Sequence, residues 1–211
     1  MKTGAGVYCM GSQWGRDRNY VRAMREGYRS RAAYKLREIQ DRHHIIRETD
    51  NIVDLGAAPG SWLQVAKELT KGKIVGVDLS PISPLEGVTT LVGDFSNKET
   101  RDRVLSILEP VSIVLSDASP KLSGHRSYDQ ARAIGLGEDS LLFACNVLKK
   151  GGNFVVKSFQ GEDFHILLRE IRKYFLSVKT FKCKASRKGS SEIYVIAKNF
   201  IGCQYDAEGS I

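Results

Sequence analysis

Short aliphatic runs alternate with longer helical patterns from residue 52 onward, and this alternation restricts the fold more than any other feature. Strands are expected over 52–55, 73–79, 89–92, 111–116 and 153–158, and helices over 61–71, 97–108, 128–148 and 162–175. Such a pattern predicts an α/β fold with a mainly parallel sheet and helices on both faces. Two further strands, 177–182 and 192–198, are separated by only nine residues. That is too short for a parallel crossover, so an antiparallel hairpin is expected at the C-terminal end. Upstream, 30–43 reads as a helix capped by Ser30, with Ala33, Leu36, Ile39 and Gln40 at helical spacing and Arg31, Lys35, Arg37 and Arg42 on the other face.

The first strand runs into Asp54-Leu55-Gly56-Ala57-Ala58-Pro59-Gly60-Ser61-Trp62. Residues this small let backbone close on a ligand, and Ser61 is placed to cap the following helix. The dinucleotide pattern G-x-G-x-x-G is absent and Pro59 stiffens the turn, so the loop suits a different adenosine-bearing ligand. Ligands of such sheets sit beyond the carboxyl ends of the strands, where Asp78, Asp94 and Asp117 also fall. Asp78 follows Gly60 by 18 residues, close to the offset of a ribose-binding acid. Acids for ribose hydroxyls and an adenine amino group suit S-adenosylmethionine (SAM), which has no phosphates to cradle. A lysine, Lys157, also ends a strand, Asn153-Phe154-Val155-Val156-Lys157-Ser158-Phe159, apolar enough to be buried, and burial there would favour its neutral form and a role as general base.

Charge is unevenly spread along the 211 residues. Between Arg16 and Arg47 ten bases face four acids, and between Lys179 and Lys188 five bases face none, on a chain of net charge +8. Two cationic stretches on an otherwise acidic body are the footprint of a polyanion partner. Tyr28 and Tyr34 lie in the first stretch, as core residues or as platforms for bases. Cys9, Cys145, Cys183 and Cys203 are far apart, without zinc or disulfide-framework spacing, so reduced cytoplasmic thiols are expected. No run approaches a membrane span and no signal-peptide core is present, so no membrane partner is expected.

Six motifs in order resemble the FtsJ (RrmJ) ribose 2′-O-methyltransferases from about Tyr20 to Lys198. They begin with Gly27-Tyr28-Arg29-Ser30-Arg31-Ala32-Ala33-Tyr34-Lys35-Leu36, the 54–62 loop and Gly93-Asp94-Phe95. They continue with Ser116-Asp117-Ala118-Ser119-Pro120, Val155-Val156-Lys157-Ser158-Phe159-Gln160-Gly161 and Ser190-Ser191-Glu192-Ile193-Tyr194-Val195. The chain departs from the pattern at Ser61, where many relatives have glycine, and at Ser119, where the bacterial form has alanine.

The resemblance implies a Rossmann-like SAM-dependent methyltransferase fold with a seven-stranded sheet ending in the antiparallel hairpin. It implies a Lys-Asp-Lys-Glu tetrad of Lys35, Asp117, Lys157 and Glu192, with SAM held by Gly56, Gly60, Trp62, Asp78, Asp94 and Asp117 and no metal. Lys157 would be the base, oriented by Asp117, while Glu192 anchors Lys35. Arg29, Arg31, Arg37, Lys182, Lys184 and Arg187 are the expected RNA contacts. The expected organisation is a mobile segment over 1–18, one methyltransferase domain over 19–200 whose 19–47 part is basic and helical, and a tail over 201–211. The resemblance points to a uridine of large-subunit (23S) rRNA as substrate, acted on by a cytoplasmic monomer. Within the same chemistry the alternatives are a tRNA anticodon-loop or mRNA cap methylase. Outside it they are a SAM-binding ribosome-assembly factor without catalysis, against which the complete tetrad weighs, and an NAD-dependent oxidoreductase, against which the missing glycines weigh.

Overall fold

The structure, a computed structural model, describes residues 18–120, 123–187 and 189–203. Most of the segment expected to be mobile and most of the expected tail lie outside the described residues. The elements run α1 (Arg18–Arg25), α2 (Ala33–His43), β1 (Ile52–Leu55), α3 (Ser61–Leu69), β2 (Ile74–Asp78) and β3 (Thr89–Val92). They continue with α4 (Lys98–Ile107), β4 (Val111–Ser116), α5 (Arg126–Val147), β5 (Leu148–Phe159), α6 (Phe164–Arg172), β6 (Phe175–Phe181) and β7 (Glu192–Phe200). The sheet order is β3-β2-β1-β4-β5-β7-β6. β1 to β5 are parallel, and β7 lies antiparallel between β5 and β6. The seven strands and the terminal antiparallel pair match the expectation from sequence.

Strands β1, β4 and the second half of β5 are covered on both sides, which is why they read as unbroken apolar runs. Ile113, Leu115, Val155, Tyr194 and Ile196 pack with Leu36, Ile39, Leu63 and Val65 of α2 and α3. Their immediate neighbours Val114, Phe154, Val156 and Val195 join Val104, Phe143 and Leu167 of α4, α5 and α6 in a second core. Alternation along a strand therefore assigns Asp117, Lys157, Phe159 and Glu192 to the same face as Leu115, Val155 and Tyr194, the face covered by α2 and α3.

Register fixes their level. Leu55 pairs with Val77 on one side and Ser116 on the other, and Ser116 pairs with Val156. One residue further along, Gly56, Asp78, Asp117 and Lys157 share one edge of the sheet. The chain moves outward from β1 in both directions, so this edge is the topological switch point, where such sheets bind ligands.

The helix starts differ from expectation. Gly60, not Ser61, is the N-cap of α3, in the left-handed region at φ 105°, and α2 begins at Ala33 after a turn in which Ser30 accepts from Ala32 N. Both hydroxyls instead meet each other, Ser30 Oγ to Ser61 Oγ at 2.7 Å. α1 opens the 19–47 part expected to be helical, ahead of the 30–43 helix that patterning delimits.

Candidate active site

Asp117, just past β4, is the hub. Lys157 Nζ lies 3.1 Å from its Oδ1, Tyr194 donates to the same oxygen at 2.7 Å, and Lys35 Nζ is 3.9 Å away. Lys157 Nζ also donates to the Asp117 carbonyl. Lys35, in the first turn of α2, donates to Glu192 Oε2 at 2.8 Å, and Ser186 Oγ donates to Glu192 Oε1 at 2.6 Å. Both lysines are buried, as is Tyr194. The four residues of the expected tetrad thus stand together. Tyr194 and Ser186, which sequence reasoning did not single out, complete their hydrogen bonding. Tyr194 sat inside a quoted motif, whereas Ser186 carried no sequence signal.

Electrostatics sort these groups. Burial alone would raise the Asp117 carboxyl, but Lys157 and Lys35, with the Tyr194 hydroxyl, hold it below the usual carboxylate range. Burial, reinforced by Asp117 and Glu192, pushes the Tyr194 phenol well above its ordinary value, so it remains a hydrogen-bond donor. Asp54 behaves oppositely. It lies 1% exposed on β1, neither carboxylate oxygen has a hydrogen-bond partner, and burial together with Asp117 and Asp78 pushes its carboxyl well above the ordinary range.

Asp54 and Asp117 both line a cleft walled by the 56–59 loop, Ser30, Ser61 and Trp62. Among the described residues its lining holds two carboxylates and no cation. A cationic ligand would relieve Asp54, and a phosphate would not, so the charge of the cleft lining suits a sulfonium or an ammonium group. Gly56 (φ 68°) allows the chain to turn out of β1 toward α3, and a Cβ there would fall 2.7 Å from Ala118, just past β4. Trp62 Nε1 is tied to the Ala32 carbonyl at 2.9 Å, and its ring packs 5.8 Å from that of Tyr194, linking cleft to tetrad. Asp78 Oδ2 accepts from Ala58 N at 3.0 Å and so holds the loop. Asp94 is exposed further along the same edge, accepting from the Ser96 amide and hydroxyl.

The expected RNA contacts divide into two groups. Arg29 grips the Pro59 and Pro84 carbonyls at 3.0 and 2.8 Å, and Arg37 pairs with Glu68 and donates to the Tyr28 hydroxyl. Lys182, Lys184 and Arg187 are exposed on the β6–β7 turn, and Arg31 is half-buried. That turn is fastened to α2, because Glu38 accepts from the Lys184 and Ala185 amides at 2.7 and 2.8 Å. Tyr28 and Tyr34 are buried and bonded to Glu68 and Glu26, so they are core residues and not base platforms.

A family model described as FtsJ-like methyltransferase matches residues 28–200. Proteins named ribosomal RNA large subunit methyltransferase E, from Methanosphaerula palustris and Methanoculleus marisnigri, are each 64% identical to the chain. The alignments cover 96% of it and 100% of each relative. A crystal structure from Plasmodium falciparum, described as a ribosomal RNA methyltransferase, superposes with a TM-score of 0.76 at 30% identity. It covers 83% of this chain and 100% of that one. The chain belongs to the FtsJ-like methyltransferase family, whose members use SAM.

Proposed function

We propose that this FtsJ-like methyltransferase methylates the 2′-hydroxyl of a uridine in large-subunit ribosomal RNA. The observation that carries the reading is the shared Asp117 oxygen, 3.1 Å from Lys157 Nζ and adjoining the carboxylate-lined cleft. The names of the close relatives support ribosomal RNA as the substrate. Bound SAM supplies a methyl group activated by its sulfonium, for which no metal is needed. Gly56, Gly60, Trp62, Asp78, Asp94 and Asp117 are assigned to hold it.

A ribose hydroxyl is a weak nucleophile until its proton is shared. Lys157 Nζ, once it has released its own proton to solvent, accepts that of the hydroxyl, and the Asp117 carboxylate with its own carbonyl aims the amine. Lys35, held by Glu192 and close to the same carboxylate, keeps a positive charge beside the reacting group. Holding the hydroxyl in line with the methyl provides much of the acceleration. Arg31, Lys182, Lys184 and Arg187 bind the RNA backbone around the mouth, whereas Arg29 and Arg37 act by bracing the loop and α2.

Two measurements test this. Mapping 2′-O-methyls in total RNA with and without the gene should reveal one lost large-subunit rRNA methyl, and a lost tRNA methyl would overturn the substrate. Lys157→Ala should reduce methyl transfer by a factor of about 10²–10⁴ with SAM affinity retained. Wild-type turnover in that variant would remove Lys157 from the role of base.

A further inference from the structure

Beyond the tetrad lies a second cavity, of about 420 Å³, whose lining the chemistry above does not use. Its size falls in the range of small-molecule sites, about 300–1,000 Å³. Phe159, Gln130, Ser190 and Ser191 line it, with Asp129 in its wall. Phe159 stands two residues beyond Lys157 on β5, so both side chains leave the same face of the sheet, about 7 Å apart along the strand. Across the antiparallel ladder Phe159 pairs with Glu192. The cavity therefore starts where the tetrad ends.

The polar groups around this ring have assignable roles. Gln130 Nε2 donates to the Gln160 carbonyl at 3.0 Å, which leaves Oε1 as the acceptor. A Cβ on Gly161 would come within 2.8 Å of that amide, so only glycine there lets Gln130 lie so close. Ser190 Oγ accepts from Glu192 N at 3.1 Å, which leaves its hydrogen to donate. Asp129 is committed to the Ser123 amide and hydroxyl and the Gly124 amide, and so shapes the wall. An aromatic face flanked by one amide acceptor and one hydroxyl donor matches a nucleobase, and uracil presents the complementary N3–H donor and O4 acceptor.

We propose that this cavity holds the base of the nucleotide being methylated, stacked on Phe159 with its pairing edge toward Gln130 and Ser190. The base is carried on the ribose carbon next to the one bearing the reacting hydroxyl. Its seat must therefore adjoin Lys157, as this cavity does. The assignment rests on the reading of the protein as an RNA ribose methyltransferase.

A chemical double-mutant cycle tests it. The full chain is assayed with an rRNA fragment containing the mapped nucleotide, and with the same fragment carrying an abasic ribose at that position. Phe159→Ala should lower kcat/KM on the intact fragment roughly ten- to hundredfold with SAM affinity unchanged. The abasic fragment should lose as much with wild-type protein, and the two changes together should cost no more than either alone. Phe159→Tyr should retain activity, and Phe159→Leu, which keeps bulk without stacking, should behave like alanine. Additive losses, or a fully active leucine variant, would overturn the pocket while leaving methylation intact. Failure of wild-type protein to methylate both the intact fragment and large ribosomal subunits lacking that methyl would instead sink the methylation reading, and the pocket with it.

Discussion

Asp54 sets stability against ligand binding at a single residue. Its carboxyl is pushed up by burial, by Asp117 and by Asp78, so the folded state keeps a proton that the unfolded chain releases near pH 4. A raised folded-state pKa contributes stability below the unfolded value and loses it as pH rises toward the folded one. Asp54→Asn, which mimics the protonated form at every pH, should therefore raise the melting temperature of the ligand-free protein by a few degrees at pH 8. At pH 4 the gain should vanish. The same change should weaken SAM binding roughly ten- to hundredfold, because the cationic ligand displaces the Asp54 proton and pairs with the carboxylate so formed, which asparagine cannot supply. Calorimetry and melts at both pH values check the pair of effects. An equal gain at both pH values would show that Asp54 is ionised in the ligand-free fold. Asp117, at the end of the adjacent strand, has the opposite sign because Lys157 and Lys35 outweigh its burial.

At the scale of elements, the strands and the acids and lysine at their ends were legible in the sequence. Burial on both faces writes strands such as 52–55 and 111–116 as apolar runs, and parallel register then brings Asp117 and Lys157 level without further information. Helix starts were less legible, because the Ser30 and Ser61 hydroxyls have each other as partners across 31 residues, and local patterning cannot show a partner that distant. The cationic residues behaved likewise. Sequence counts the charge of Arg29 and Arg37 but not the Pro59, Pro84 and Glu68 groups that occupy them.

The β6–β7 turn gives a prediction at this scale. Glu38 on α2 holds the Lys184 and Ala185 amides, and Ser186 reaches Glu192. Removing an acid from beside a cationic surface should by Coulomb's law alone tighten RNA binding. Glu38→Ala should instead weaken it several-fold, because the turn that presents Lys182, Lys184 and Arg187 loses its anchor. Fluorescence anisotropy with an rRNA fragment measures the difference, and tighter binding would show that the turn keeps its position without Glu38.

Over the whole molecule the net charge of +8 does not by itself locate an RNA surface, since part of it is spent inside the fold. Salt separates the two uses of positive charge. Each phosphate contact that releases a counterion adds about −0.7 to −0.9 to the slope of log affinity against log salt. Replacing Lys182, Lys184 and Arg187 together by glutamine should flatten that slope by about 2–3 units and leave the melting temperature nearly unchanged, because all three are exposed. Arg29→Ala should do the reverse. It removes two hydrogen bonds to loop carbonyls beside the cofactor cleft, costing about 1–3 kcal/mol of stability, with little change in slope. Titrations from low to physiological salt, set beside thermal melts of the same variants, read both quantities. If the glutamine variant kept the wild-type slope, phosphate binding would have to move from the β6–β7 turn to another face of the protein.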